Sequence, residues 1–165
     1  MELSSPLTNT LKITSKQGTI LIDPLSLEDA KVVILDDGVS TDFTTNNDNL
    51  IIYGPGDFEA SGILIKGTRP ENDTMYSIDT QDFRVLHVLS TSIAKLVDED
   101  DYDAVIVKAV SPVTESVLSA LSSKLVVVYG DLNNIPDLLK SGAVYKINLR
   151  KKEELLSNVV YLEKK

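Results

Sequence analysis

The side chains that could do chemistry in this 165-residue chain are few and mostly acidic. Asp36, Asp37 and Asp42 stand close together in one polar stretch, and His87 is the single histidine. Carboxylates are the ligands that hard cations such as Mg²⁺, Mn²⁺ and Ca²⁺ prefer in proteins. The sequence therefore offers one candidate metal site, formed by these four residues with Mg²⁺ or Mn²⁺ as its ion.

The same residue types also have ordinary structural interpretations. Asp-Asp-Gly directly after a strand is typical of an Asx turn, and Asp42 would then be a solvated loop residue. His87 has no Gly-x-Ser-x-Gly nucleophile motif beside it, so we interpret it as a hydrogen-bonded structural histidine. Glu59 and Ser90 are two further side chains that could join a metal site. The structural interpretation is favoured, and the sequence predicts no catalytic residue and no bound cofactor.

Composition excludes several classes of function. The chain has no cysteine, which rules out disulfides, a thiol nucleophile and thiolate-held clusters. Zinc sites use mainly imidazole and thiolate ligands, so one histidine without cysteine cannot build an ordinary one. The net charge of −9 disfavours binding to nucleic acid or to an anionic membrane surface, since both need a basic surface. No signal peptide and no membrane-length apolar run is recognisable, so we expect a cytoplasmic protein.

Three other stretches partly resemble known functional motifs but lack residues that those motifs require. The acidic run at 98–103 lacks the glycine and the glutamate that an EF-hand loop requires. Gly-Pro-Gly at 54–56 lacks the spacing of a phosphate-binding loop and predicts a tight turn. The strand at 102–107 resembles a receiver-domain strand, but Lys108 stands where that strand would end in an acidic residue.

The elements that must position these side chains are mostly strands. Apolar or alternating runs predict strands at 11–15, 19–22, 32–35, 50–53, 63–67, 75–78 and 83–89. The second half predicts strands at 104–107, 125–129, 143–149 and 159–162, helices at 112–121 and 135–141, and a helical turn at 151–156. This order predicts an α/β or α+β layered fold, in one domain over residues 1–165.

The order of these pieces resembles the metallo-β-lactamase fold, and in particular its small predicted zinc-dependent hydrolases. The stretches that carry the resemblance are Gly-Thr-Ile-Leu-Ile-Asp-Pro at 18–24, the strand and polar loop at 33–43, Gly-Pro-Gly-Asp-Phe-Glu-Ala-Ser-Gly at 54–62, Arg-Val-Leu-His-Val-Leu-Ser at 84–90 and the strand at 102–107. The resemblance implies a four-layer α/β/β/α sandwich. Because the chain is short for that fold, we expect an abbreviated version with reduced outer helices.

The zinc-binding motif of that fold, His-x-His-x-Asp-His, is absent from the sequence. The positions that align with its ligands, and with the aspartate that bridges the two ions, are Asp37, Val39, Thr41, Asp42 and Ser90. The resemblance therefore implies a pseudoenzyme, retained as a binding, scaffolding or oligomeric module with an unknown protein partner or through self-association. One alternative is a phosphoesterase-like, metal-dependent hydrolase with a rebuilt carboxylate site. Another is a small-molecule binding domain that reuses the cleft.

Overall fold

The fold consists of strands joined by short turns and a few short helices. The computed structural model describes residues 1–26, 30–36, 49–96, 102–121, 125–152, 155 and 158–165. The strands in this part of the chain are β1 (Glu2–Leu7), β2 (Thr10–Thr14), β3 (Thr19–Ile22), β4 (Val32–Ile34), β5 (Leu50–Ile52), β6 (Gly56–Ala60), β7 (Ile63–Thr68), β8 (Met75–Asp79), β9 (Arg84–Leu89), β10 (Ala104–Ala109), β11 (Leu125–Gly130), β12 (Lys146–Asn148) and β13 (Asn158–Tyr161). The helices are α1 (Glu115–Ser119) and α2 (Asp137–Lys140), with 3-10 turns at Ser90–Lys95 and Leu132–Asn134.

The strands form two sheets. The first sheet has the order β12-β1-β2-β3-β4-β5, and the second has the order β13-β11-β10-β9-β8-β7-β6. Strands β3, β4 and β5 run parallel in the first sheet, as do β9, β10, β11 and β13 in the second. Because the carboxyl ends of parallel strands meet at one edge of a sheet, the residues that follow β3 and β4 are neighbours.

The main apolar core lies between the two sheets. The first sheet contributes Ile13, Ile20 and Ile34 to it, and the second contributes residues such as Ile106 and Val127, all fully buried. Alternation along each strand sends every second side chain into this core. The first sheet also carries a small apolar cluster on its outer face.

The outer helices are short. The outer face of the second sheet packs a separate apolar cluster, which includes Leu118 of α1 and Ile135, just before α2. Helix α1 has five residues and α2 has four. The expected layered α/β architecture, abbreviated by reduced outer helices, is therefore confirmed. In the described part of the chain, no helix has both the length and the apolar character needed to cross a bilayer.

The element bounds differ from the prediction in a few places. Strands β1 and β6 were not predicted, because their sequences are polar and contain proline or glycine; pairing with neighbouring strands overrides the local preference. The helix predicted at 112–121 spans only Glu115–Ser119, since Thr114 caps its start by accepting a hydrogen bond from the Val117 N–H. The helix predicted at 135–141 spans only Asp137–Lys140, and the strand predicted at 143–149 spans only Lys146–Asn148.

Candidate functional site

The site begins at Asp23, the residue directly after β3. Asp23 adopts a left-handed backbone conformation with φ of +48°, which a short polar side chain tolerates better than most. The Asp23 N–H donates a hydrogen bond of 2.9 Å to the carbonyl oxygen of Ile34. The Thr10 hydroxyl donates one of 2.8 Å to the carbonyl oxygen of Asp23. These contacts fix Asp23 against the end of β4.

Asp36 lies beside Asp23 at the same sheet edge. The parallel register places Ile22 opposite Ile34, so the residues that follow these two strands come together. The Asp36 N–H donates a hydrogen bond of 2.8 Å to Oδ1 of Asp23. The backbone of one acidic residue therefore holds the carboxylate of the other.

Lys108 reaches these carboxylates from the second sheet. It is the fifth residue of β10, a strand in which every residue is buried. Alternation places it on the same face as Ala104 and Ile106, which faces the first sheet. Its ammonium contacts the Asp23 carboxylate directly and lies 3.2 Å from Oδ2 of Asp36. We call Asp23, Asp36 and Lys108 the ion triad.

The ion triad is shielded from solvent and pairs one ammonium with two carboxyl groups. The side chains of Lys108, Asp23 and Asp36 are only 8%, 4% and 9% exposed. Burial raises the pKa of Asp23, and the nearby charge of Asp36 raises it further, while Lys108 acts in the opposite direction. Burial alone would lower the pKa of Lys108, but the two carboxylates outweigh it and raise that pKa. The ammonium therefore stays charged at neutral pH.

His87 forms a second buried polar contact, with another residue of the second sheet. Its Nε2 and the Tyr129 hydroxyl share a hydrogen bond of 2.9 Å, and both residues are fully buried. Within the described residues, its Nδ1 has no hydrogen-bond partner. Burial, followed by the positive charge of Lys108, lowers the pKa of His87 to about 3, although Asp23 acts in the opposite direction. The imidazole is therefore neutral at physiological pH.

Tyr129 keeps its proton under the same conditions. Burial raises the pKa of its hydroxyl well above the ordinary value, and the charges of Asp36 and Asp23 add to that effect. The five side chains thus form one electrostatically connected group, which we call the polar cluster. It comprises the ion triad, His87 and Tyr129.

The residues of the predicted metal site have different positions in the structure. Asp36 belongs to the ion triad, whereas the Nε2 of His87 is engaged by Tyr129. Asp37 and Asp42 lie outside the described residues. Across the described ranges, no three His, Cys, Asp or Glu side chains are grouped so that they could hold a metal ion.

The two side chains suggested as additional ligands make local contacts instead. Glu59 lies near the end of β6, and its carboxylate accepts a hydrogen bond of 2.9 Å from the Gly62 N–H in the turn that leads to β7. The Ser90 and Ser111 hydroxyls, at the carboxyl ends of β9 and β10, are 2.8 Å apart and hydrogen-bonded. Both contacts stabilise the connections between strands.

Sequence reasoning missed Asp23 and Lys108 as site residues. The sequence does contain an indication of a buried charge, because Lys108 follows four apolar residues in a strand that is predicted to be buried. A buried ammonium needs a paired carboxylate, and Asp23 directly follows a strand whose last three residues are all buried. The sequence alone does not say which carboxylate pairs with the lysine.

The polar cluster does not line any of five cavities that the described residues form. Five cavities of about 240 to 390 Å³ are lined by described residues, and none of the five includes a side chain of the cluster. The largest lies on the outer face of the second sheet, between α1, α2 and β13, with a mostly aliphatic lining that includes Leu118, Leu139 and Val159.

Comparison with known proteins identifies the fold. No protein-family model matches the chain, and no curated protein matches it in sequence. A Thermotoga maritima protein, described as a predicted Zn-dependent hydrolase of the metallo-β-lactamase superfamily, matches with a TM-score of 0.70, 18% identity and 98% of each chain covered. The chain has the metallo-β-lactamase fold.

Two further solved structures support this assignment. The metallo-β-lactamase fold protein YhfI from Bacillus subtilis matches with a TM-score of 0.57, 11% identity, and 99% of this chain and 96% of that chain covered. An isothiocyanate hydrolase from Delia radicum gut bacteria matches with a TM-score of 0.62, 10% identity, and 98% and 96% covered. A diphosphatase from the PhnP family also matches, with a TM-score of 0.55, 9% identity, and 98% of this chain and 85% of that chain covered.

The described residues do not fit the zinc centre that the metallo-β-lactamase fold implies. Zinc needs three or four imidazole, thiolate or carboxylate ligands around one point. The described residues contain no such group, and the carboxylates that come together are already neutralised in part by an ammonium. The single imidazole is hydrogen-bonded to a tyrosine.

Proposed function

We propose that this chain is a non-catalytic protein of the metallo-β-lactamase fold that acts as a binding or scaffolding module. The chain would act as a single domain in the cytoplasm, without a resident metal. Its partner would be another protein or a second copy of itself, since a net charge of −9 does not favour nucleic acid or an anionic membrane.

The observation that carries this proposal is the ammonium of Lys108 between the carboxylates of Asp23 and Asp36. In a hydrolytic metal centre, carboxylates at strand ends must be free to bind a cation and to activate water. Here the cation is part of the chain and has no open coordination position for water or substrate. An ion triad of this kind links the two sheets but offers no Lewis acid.

His87 supports the same conclusion. A general base must lie within hydrogen-bond reach of the proton that it takes up, with a pKa near the working pH. The Nε2 of His87 is already hydrogen-bonded to Tyr129, and the low pKa of the ring makes it a weak base. The imidazole therefore serves the packing between the sheets rather than proton transfer.

The second candidate function is a metal-dependent hydrolase that uses a rebuilt carboxylate site with Mg²⁺ or Mn²⁺. One observation favours it: the solved neighbours include a diphosphatase of the PhnP family and an isothiocyanate hydrolase. This candidate requires Asp36 to leave Lys108 and to join Asp37 and Asp42 around an ion. Phosphoryl oxygens would be its natural substrate atoms, because carboxylate-bound hard metals polarise them.

Elemental analysis and thermal melting separate the two candidates. The protein is purified without chelator from cells grown with added manganese and zinc. We expect far less than one bound metal per chain and no shift in melting temperature with Mg²⁺, Mn²⁺ or Zn²⁺, because a ligand that binds the folded state must stabilise it. Stoichiometric metal that is retained through gel filtration, with a metal-dependent rise in melting temperature, would overturn the proposal of a metal-free module. Sedimentation of the same samples tests for self-association.

A further inference from the structure

Strand β6 (Gly56–Ala60) has one side that no described strand covers, because it is the last strand of the second sheet. We propose that this open edge binds an extended segment of a partner protein, in which two basic residues flank one apolar residue. The segment would add a strand to the sheet, a common mode of peptide recognition. The inference rests on the proposed function, since it names the surface and the kind of partner of that binding module.

The hairpin between β6 and β7 determines which backbone groups face the open edge. Ser61 and Gly62 form its two-residue turn, with φ of +54° and +82°, as in a type I′ turn. The residues on either side of such a turn exchange hydrogen bonds, and the pairing then alternates along the two strands. The N–H and C=O groups of Asp57 and Glu59 therefore point away from β7, so the open edge presents two donors and two acceptors.

The side chains of β6 alternate between the two faces of the sheet. Asp57 and Glu59 are exposed on the outer face, whereas Phe58 is half-buried and packs against the main core. A strand paired with β6 would continue this alternation. Its two residues opposite Asp57 and Glu59 would lie beside the carboxylates, and the residue between them would extend the apolar core next to Phe58. The edge therefore matches a basic-apolar-basic sequence.

Charge favours a partner protein over a second copy of this chain. If β6 paired with β6 of another copy, Asp57 and Glu59 would lie opposite acidic residues, and like charges directly opposite destabilise a sheet. On β7, Lys66 lies opposite Asp57 and Leu64 opposite Glu59, so two carboxylates face one ammonium. Acidic side chains on an edge strand discourage pairing with other sheets, and a basic segment would turn this repulsion into attraction.

The probe is the peptide Thr-Lys-Val-Lys-Thr with both termini blocked, and Thr-Glu-Val-Glu-Thr is its matched control. Binding to the native chain is measured by NMR titration in the presence of EDTA. We expect the lysine peptide to bind at least about tenfold more tightly than the glutamate peptide and to slow the exchange of the Asp57 and Glu59 amide protons. In the double variant Asp57→Lys, Glu59→Lys, the preference between the peptides should reverse.

Methylation of a peptide nitrogen separates strand pairing from charge attraction alone. In an antiparallel pair, a lysine opposite Asp57 or Glu59 directs its N–H toward β6, whereas the central valine directs its N–H away. Methylating the backbone nitrogen of one lysine should therefore weaken binding by about tenfold or more. Methylating the valine nitrogen should weaken it by less than about threefold.

Four results would overturn the inference. The first is equal binding of the two peptides by the native chain, and the second is an unchanged preference in the folded double variant. The third is equal weakening by methylation at lysine and at valine, which would mean charge attraction without strand pairing. The fourth is a dimer of the native chain in which the Asp57 and Glu59 amides are protected, because a second copy would then cover the edge.

The test does not depend on the stability of the substituted chain. If the double variant does not fold, the two peptides and their methylated forms on the native chain decide the outcome. Metal retained by the native chain would contradict the proposed function and leave the peptide comparisons unchanged, so the two failures are distinguishable.

Discussion

Lys108 carries a charge into a strand that is otherwise apolar, and this makes the ion triad sensitive to single substitutions. A buried ion pair is a weak source of net stability, because desolvation of the charges offsets their attraction. Removing one partner is nevertheless costly, since it leaves the other charges buried without compensation. The triad therefore specifies how the two sheets meet more than it adds to their stability.

The first prediction concerns the loss of the ammonium. Lys108→Met should lower the free energy of unfolding by about 3–5 kcal/mol, because two buried carboxylates remain without a counter-charge. Urea unfolding followed by circular dichroism measures the change.

The matched control removes all three charges at once. The triple variant carries Asp23→Asn, Asp36→Asn and Lys108→Met. The side-chain oxygen at position 23 can still accept the hydrogen bond from the backbone N–H of residue 36. The triple variant should therefore recover most of the stability that Lys108→Met loses. If the triple variant is as unstable as Lys108→Met alone, the loss comes from packing and not from charge.

The second prediction concerns the pH dependence set by His87. Because the pKa of His87 in the folded state is lowered to about 3 from an ordinary 6.5, only the unfolded chain takes up this proton between those values. Its contribution to stability is present above pH 6.5 and is lost as the pH falls toward 3. In this window the stability of the native protein should decrease relative to His87→Gln by about 1.4 kcal/mol per pH unit.

Denaturant unfolding at several pH values checks this expectation. Glutamine keeps a polar group near Tyr129 but does not titrate, so the comparison cancels the carboxylates that titrate in both proteins. The groups that act on the histidine, Lys108 and Asp23, are the same in both variants. Parallel stability curves for the two proteins would mean that the imidazole is not held neutral.

At the scale of the elements, the positions of the parallel strand ends determine where the polar cluster lies. Strand β11 ends at Gly130, whose φ of +121° is accessible to glycine and rarely to other residues. A Cβ on this residue would lie 3.0 Å from the backbone nitrogen of Ala109 on the neighbouring strand. The glycine thus allows β10 and β11 to stay paired to their last residues, next to Lys108 and Tyr129.

The third prediction tests this close approach. Gly130→Ala should lower the free energy of unfolding by about 1–3 kcal/mol, because the new side chain is strained and meets the backbone. Gly142→Ala is the control, since a Cβ there meets nothing within 4 Å. The control should be neutral or stabilising by less than about 1 kcal/mol. Equal effects of the two substitutions in thermal melts would show that β11 ends differently.

Considered as a whole, the fold was more predictable from the sequence than the site. Buried strands such as Val32–Ile34 and Leu125–Gly130 are nearly continuous apolar runs, and the short-range pattern suffices to predict them. Strand β6 escaped prediction because it starts at a glycine and lies at a sheet edge, where pairing matters more than composition.

The ion triad was not predictable in the same way. Asp23 and Lys108 are 85 positions apart in the chain, and only the stacking of the two sheets brings them together. The sequence revealed that the zinc motif of the metallo-β-lactamase fold is missing, but it could not reveal that a lysine would meet the remaining carboxylates. Long-range pairing of charges follows from the fold and has no signature in residue spacing.

We propose that a tethered ammonium, and not a metal ion, lies between the ends of β3, β4 and β10 in this protein. Crystals of the native chain soaked in MnCl₂ or ZnCl₂ test it directly through anomalous difference maps. We predict no anomalous peak within bonding distance of Asp23 or Asp36, and Lys108 in contact with both carboxylates. A peak coordinated by Asp36 together with Asp37, Asp42 or His87, with Lys108 displaced, would contradict the account.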